Sequence, residues 1–168
     1  MSEFIYADWN GHHVKLTWYP MKDLSENITV TSVHGYCFSE GKILLVNVTG
    51  RGFNVPGGHI ENGETVEEAF HREAFEEAYV KGGIHYLGVI EVSHEDNPLF
   101  VTGGKYPLIG YQAFYRMDIK ECYPFLGTNE TTSRIWVEPE QVKNVMNDHE
   151  LALLVLQHAL KMDECLLD

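Results

Sequence analysis

The stretch Gly58-His59-Ile60-Glu61-Asn62-Gly63-Glu64, followed by Arg72-Glu73-Ala74-Phe75-Glu76-Glu77, decides how this chain is read. Thr65 with Glu68 three residues on is a capping-box start, so a helix is predicted from Thr65 to about Val80. Lys81-Gly82-Gly83 is expected to end it, because glycine favours the left-handed exit of a helix. At about 100° per residue from Val66, Glu77 lies near 20°, Glu73 near 340° and Glu76 near 280°, an arc of about 100°. Phe70 and Ala74 fall beside that arc at about 40° and 80°. The carboxylates therefore edge the face that should pack on a sheet.

Like charges three and four residues apart cost a helix a few tenths of a kcal/mol per pair, and partial burial raises that cost. A solvated acidic helix would keep its glutamates away from the apolar stripe. A hard divalent cation compensates such crowding, since Mg2+ takes carboxylates, water and phosphate oxygens in octahedral geometry. Gly57-Gly58 stands just ahead of the helix, and glycine permits the close backbone approach that would aim a carbonyl at the same ion. Arg72 can lock Glu64 or a helix carboxylate through a bidentate pair.

The rest of the chain is consistent with one α/β domain over residues 1–168. Its length suits a single core, and no repeat, linker or low-complexity tract interrupts it. Phe4 to Tyr6 and Val14 to Trp18 read as strands around an Asn10-Gly11 turn. Ile28 to Phe38 and Ile43 to Val48 are further strands around Ser39-Glu40-Gly41-Lys42. Residues 49–58 read as loop. Ile84 to Ser93, Tyr106 to Ile119 and Arg134 to Val137 complete the strands. A brief helix follows Glu138-Pro139, and Asp148 is expected to cap a last helix running to about Glu164.

The formal net charge of −13 argues against a duplex nucleic-acid partner. It leaves open a small anionic substrate whose binding a cation mediates. Cys37, Cys122 and Cys165 are far apart and show no metal-ligand spacing. An odd count fits free thiols in a reducing compartment. The start Met1-Ser2-Glu3-Phe4 lacks the pattern of a signal peptide, and the longest apolar run, Leu151 to Leu156, is far short of a membrane span. The expectation is a cytoplasmic protein, monomer or homodimer, with no membrane partner.

The pattern Gly58-x5-Glu64-x7-Arg72-Glu73-Ala74-x-Glu76-Glu77-x-Tyr79-Val80 resembles the Nudix box, G-x5-E-x7-R-E-U-x-E-E-x-G-U with U apolar. Every fixed charged position matches. Ala74 is smaller than the usual aliphatic, and Tyr79 replaces the box glycine, a departure for which Gly82-Gly83 is expected to supply the turn. The resemblance implies an α/β/α sandwich with a mixed sheet. It also implies a hydrolase acting on nucleoside diphosphates linked to another moiety, with Mg2+ or Mn2+ as cofactor. Carried over residue by residue, Glu76 and Glu77 are metal ligands, and Glu73 is a ligand or the base that activates water. The Gly57 carbonyl is a further ligand, and Arg72 and Glu64 orient the carboxylates. The loop Arg51-Gly52-Phe53-Asn54-Val55-Pro56-Gly57-Gly58 is similar to that of MutT-like nucleoside triphosphate pyrophosphohydrolases, some of which act on oxidised purine nucleotides. Arg51, Phe53, Asn54 and Gly58 are accordingly the expected substrate contacts. ADP-ribose or another nucleoside diphosphate conjugate is the alternative substrate. A non-catalytic ligand-binding regulator ranks lower, because Glu73, Glu76 and Glu77 are all retained.

Other residues read more plainly. Glu91, Glu95, Asp96, Asp118 and Glu121 are candidates for an acidic ligand outside the box, with surface charge the ordinary reading. Arg51 and Lys105 lie in loops that could touch phosphate. His12, His13 and His59 lack spaced partners. Tyr106, Tyr111, Phe114 and Tyr115 are better read as sheet packing than as a base-stacking platform.

Overall fold

The strand Lys42–Val48 sets the architecture, because both its faces are apolar. Ile43 and Leu45 enter one buried cluster, while Leu44 and Val46 enter the other. Alternate side chains of a strand point to opposite faces, so the sheet must be covered on both sides.

The computed structural model describes residues 3–25 and 27–166, the last three by backbone alone. Its elements are β1 (Glu3–Trp9), β2 (His12–Pro20), β3 (Val30–Ser39), β4 (Lys42–Val48), β5 (Gly52–Asn54), β6 (Gly57–His59), α1 (Val66–Ala78), β7 (Val80–Ser93), β8 (Ile109–Cys122), β9 (Thr131–Val137), a 3-10 turn (Pro139–Gln141), α2 (Val142–Val145) and α3 (Glu150–Leu166). The strands form one sheet in the order β1-β2-β7-β8-β3-β4-β5, with β6 paired to β3 and β9 to β4. β3 and β8 run parallel while the other pairs are antiparallel. Helix α1 packs Ala69, Phe70, Ala74 and Ala78 onto Val33, Cys37 and Tyr115. Leu151, Val155 and Ala159 of α3 cover the opposite face against Trp18, Tyr36 and Phe38. The result is the expected α/β/α sandwich.

Most of the expected elements are present, with four differences. Residues 52–54 and 57–59 are short strands and not loop, since each finds a ladder partner on β4 or β3. Tyr106 lies outside β8, which begins at Ile109. Asp148 stands ahead of α3, where it accepts the His149 N–H at 2.7 Å and Asn54 Nδ2 at 3.2 Å. Finally, α1 does not run on to Lys81-Gly82-Gly83. It stops at Ala78, and Tyr79 takes the left-handed conformation with φ 60° and ψ 39°. Gly82 and Gly83 belong to β7, where a side chain at Gly82 would collide with the Asp118 carbonyl of β8. Gly82 serves close strand contact, and neither glycine supplies the helix exit. Of the cysteines, Cys37 is buried and Cys122 exposed, and the Cys165 side chain lies outside the described residues.

Candidate active site

Helix α1 begins as its sequence dictates. Thr65 accepts the Glu68 N–H, and Glu68 accepts the Thr65 N–H in return. From that fixed start Glu73, Glu76 and Glu77 project into one cleft of about 700 Å3, beside Gly57 and Gly58 of β6. The three differ in exposure. Glu77 is 7% exposed, whereas the side chains of Glu73 and Glu76 are 13% and 46% exposed.

Arg72 ties the cluster together. Its Nε and Nη2 grip Glu64 at 2.7 and 2.9 Å, and Nη1 reaches Glu73 at 2.9 Å and Glu76 at 3.2 Å. Nη2 also donates to the His59 carbonyl at 3.1 Å. The Arg72 hydrogen bonds hold the Glu64 carboxyl below its usual range. Glu77 is held differently: the Gly57 N–H donates to its Oε1 at 2.7 Å. Burial pushes the Glu77 carboxyl up to about 7 against that hydrogen bond, and Glu73, Glu130 and Glu76 add repulsion. Burial also raises Glu73, despite Arg72. Arg72 and the Gly57 N–H thus offset only part of the cluster's negative charge.

A family model described as the NUDIX domain matches residues 29–155. The chain belongs to the Nudix family. It is 35% identical over 103 residues to Nudix hydrolase 16, mitochondrial, of Arabidopsis thaliana, covering 59% of this chain and 54% of that protein. The match thus spans about half the length of that relative. Among solved structures, the pyrophosphohydrolase BsRppH of Bacillus subtilis superposes with a TM-score of 0.71 at 21% identity, covering 95% of this chain and 97% of that one. The Nudix domain of NrtR from Shewanella oneidensis, crystallised with ADP ribose, superposes at 0.55 with 17% identity, over 83% of this chain and 94% of that one. At such identities these two show the shared Nudix fold alone.

The donor set fits the hard divalent cation that Nudix proteins use. Glu73, Glu76 and Glu77 offer carboxylate oxygens on one cleft, and Glu130 lines the same cleft. Among the described residues no group of three His, Cys, Asp or Glu side chains is close enough to hold a metal ion by itself. Mg2+ does not demand such a cage, since it keeps several waters and shares its shell with substrate phosphates.

Among the described residues, Glu130 is the acidic residue from outside the Nudix box that lines the cleft, and none of the five sequence candidates does. Glu91 accepts the Tyr111 hydroxyl, Asp96 that of Tyr6, Asp118 binds Arg116, and Glu121 takes the Tyr123 hydroxyl; Glu95 is exposed. Glu130 arrives because the segment after β8 caps the C-terminal end of the Nudix helix. A helix leaves its last carbonyls without partners. Here Asn129 donates to the Glu76 carbonyl, Thr131 to that of Glu77 and Arg134 to that of Ala78, at 2.9, 2.7 and 2.8 Å. No local pattern near Glu130 announces this contact.

Arg51, Asn54 and Gly58 line the cleft as expected. Phe53 does not, packing instead against the core beneath α2 and α3. Gly58 has a reason of its own: a Cβ there would lie 2.5 Å from Glu73 Oε1. It makes room for the carboxylate. His34, Ser32 and Gln112 also line the cleft and carried no sequence signal. Burial holds His34 neutral, its imidazole lowered to about 4, and its Nε2 lies 3.0 Å from Ser32 Oγ. Phe114 and Tyr115 are core residues, as read.

Proposed function

We propose that this chain, over residues 1–168 as one Nudix unit, is a metal-dependent pyrophosphohydrolase. It would hydrolyse a nucleoside polyphosphate at a P–O–P bond. The observation that carries the reading is the convergence of Glu73, Glu76, Glu77 and Glu130 on one cleft. Water adds across the anhydride, its oxygen bonding to phosphorus as the bridging P–O bond breaks, and the products leave as two phosphates with the water's protons released.

Glu76, Glu77 and the Gly57 carbonyl are assigned to hold Mg2+ or Mn2+. Glu73 is assigned as a ligand or as the base that takes the proton from water. A bound cation would lower the pKa of attacking water and screen the phosphate charge. Arg72 and Glu64 keep Glu73 and Glu76 in single rotamers, which is preorganisation supplied before substrate arrives. Arg51 extends to the cleft as a cation for the outer phosphates, and Asn54 and Gly58 line the approach.

In the first reading the substrate is a nucleoside triphosphate, including an oxidised purine nucleotide, in the MutT-like manner. A second reading is ADP-ribose or another nucleoside diphosphate conjugate. It is favoured by a second cavity that shares Ser32, His59 and Gln112 with the cleft as lining residues. No described helix is long and apolar enough to cross a membrane. We assign a cytoplasmic protein, monomer or homodimer, whose partner is a small nucleotide and not nucleic acid.

The test is a panel of nucleoside triphosphates, their 8-oxo forms and nucleoside diphosphate conjugates, with Mg2+ and with Mn2+, scored for pyrophosphate, phosphate and monophosphate. Turnover that requires the cation and disappears in Glu76→Gln is expected. Cation-independent turnover, or none with any substrate, overturns the reading.

A further inference from the structure

Away from the carboxylate cleft, a buried amide and a buried histidine fasten a long loop. Residues 94–108 join β7 to β8 and are tied to the β1–β2 hairpin. Asn97, 7% exposed, sits between the two. Its Nδ2 donates to His12 Nδ1 of β2 at 2.9 Å and to His94 Nδ1 of the loop at 3.0 Å. Its Oδ1 accepts the Leu99 N–H at 3.0 Å. Turning the amide over would set its NH2 against that N–H, so its orientation is fixed. An amide nitrogen only donates. Both Nδ1 atoms must therefore be acceptors, with each ring neutral and its proton on Nε2.

The loop is wound around this point. The Asn97 N–H donates to the His94 carbonyl at 3.0 Å, the Asn97 carbonyl accepts the Phe100 N–H at 3.2 Å, and the His94 N–H closes the base of the loop on the Leu108 carbonyl at 2.8 Å. The buried His94 ring stacks on Tyr106 with centroids 5.8 Å apart and planes 16° from parallel, and it tilts over Phe100 at 5.6 Å. Tyr106 in turn lines a cavity of about 440 Å3 that shares Ser32, His59 and Gln112 with the carboxylate cleft. Among the described residues no carboxylate pairs with either ring. Asp96 takes the Tyr6 hydroxyl, Asp8 the Gly11 N–H and Glu91 the Tyr111 hydroxyl, while Glu95 is exposed. The neighbouring cations are turned to other rings, Lys15 to Phe4 and Lys105 to Tyr106, and His13 stacks on Tyr6. A proton added to either Nδ1 would point at the amide N–H with nothing to receive it. Burial, reinforced by His12, already holds the His94 imidazole below the ordinary histidine range.

We propose that the His12–Asn97–His94 bridge is an acid-released latch: protonation of either ring frees residues 94–108 from the β1–β2 hairpin and withdraws the Tyr106 wall from beside the cleft. The latched state accepts only neutral imidazoles, whereas the released state accepts either form. The latch is therefore intact above the ordinary histidine value of about 6.5 and weakens as pH falls through it, by up to about tenfold per pH unit for each ring. The other tie, from the Tyr6 hydroxyl to Asp96, is exposed to water, which competes for it.

The experiment follows amide hydrogen exchange of the whole chain with Mg2+ between pH about 7.5 and about 5.5, each rate divided by the intrinsic rate of that amide. Exchange at Asn97, Leu99 and Phe100 is expected to rise at least about tenfold toward acid, while the amides of β3 and β8 keep their protection. Asn97→Asp retains an acceptor for the Leu99 N–H but turns a carboxylate oxygen to the rings. Protonation then strengthens the bridge, so in this variant the same amides should be better protected at the acid end. A merely structural Asn97 would give a variant weakened at every pH, with the wild-type sign. Without any variant, imidazole nitrogen NMR at pH about 7.5 should find His12 and His94 protonated at Nε2 alone. A proton on Nδ1 of either ring, loop protection that is flat with pH, or an acid response of wild-type sign in Asn97→Asp overturns the latch. So does a loss that spreads equally to β3 and β8, which is general acid unfolding. Each readout is of the loop itself and stands whether or not the glutamates hydrolyse a nucleotide.

Discussion

The Tyr79 hydroxyl lies 3.1 Å from Thr128 Oγ1 and accepts the Thr128 N–H at 3.2 Å. A tyrosine that ends the Nudix helix thereby holds the turn two residues ahead of Glu130. Tyr79 is 6% exposed and stands edge-on to Phe125, with centroids 5.1 Å apart. Its left-handed backbone costs of order 1 kcal/mol, which these contacts outweigh.

Tyr79→Phe leaves the Thr128 N–H without its acceptor and is expected to lose about 1 kcal/mol of stability. Because the Glu130 segment loosens, activity should fall further than the stability loss explains. Tyr79→Gly restores the residue usual at this position of the box and relieves the backbone. It should nonetheless be the less stable variant, by about 2 kcal/mol or more, since truncating a buried aromatic costs about 3–5 kcal/mol. Urea unfolding of the three proteins checks the order. A glycine variant more stable than wild type would refute it.

Gly58→Ala places a methyl group against the Glu73 carboxylate. The carboxylate is the end of a flexible side chain, so the fold should survive with a melting temperature within a few degrees. Catalysis should not, because Glu73 is pushed from its place beside Arg72. A loss of about a hundredfold in kcat is expected, the scale at which misplacing a reacting group by about 1 Å operates. Near-normal turnover would show that Glu73 has room elsewhere.

Arg72→Lys keeps the charge but not the fork. Lysine cannot reproduce the paired bonds to Glu64 while reaching Glu73 and Glu76. A loss of about 10- to 100-fold in Mn2+ affinity or activity is expected, as for other residues that orient metal ligands. Calorimetric titration with Mn2+ and steady-state kinetics read the two quantities separately.

Glu77 supplies a pH signature. Burial pushes its folded carboxyl up to about 7, above the 4.5 of a free glutamate. The metal-free folded protein therefore binds more protons than the unfolded chain between those values. Its stability contribution is present below about 4.5 and is lost as pH rises through about 7. Glu77→Gln removes that loss, so the metal-free variant should be the more stable of the two at pH about 8. Cation and proton compete for Glu77. Mn2+ affinity should climb by up to about tenfold per unit as pH rises toward 7 and flatten above it. The Gln variant should bind at least about a hundredfold more weakly, with the slope reduced. An unchanged pH slope in Glu77→Gln would remove Glu77 from the ligand set.

The sequence by itself determined what repeats locally. The cap at Thr65, the arc of Glu73, Glu76 and Glu77, and the apolar run of β4 follow from spacings within one turn or one strand, where neighbouring residues settle the conformation. Glu64 and Arg72 belong to the same class, because eight residues of loop and helix bring them together whatever the rest of the chain does. Tertiary structure decided everything that depends on chain ends meeting from afar. Glu130 reaches the carboxylates only because Asn129, Thr131 and Arg134 satisfy carbonyls that α1 leaves open, more than fifty residues back in the chain. Tyr79 could take a conformation that its type disfavours because Thr128 and Phe125 hold it there. Trp9 and Tyr106, far apart in the chain, come to line one cavity through strand pairing and the bridge that Asn97 makes to His12 and His94. Such contacts are fixed by burial and by the satisfaction of polar groups over the whole molecule, and no window of sequence contains both partners.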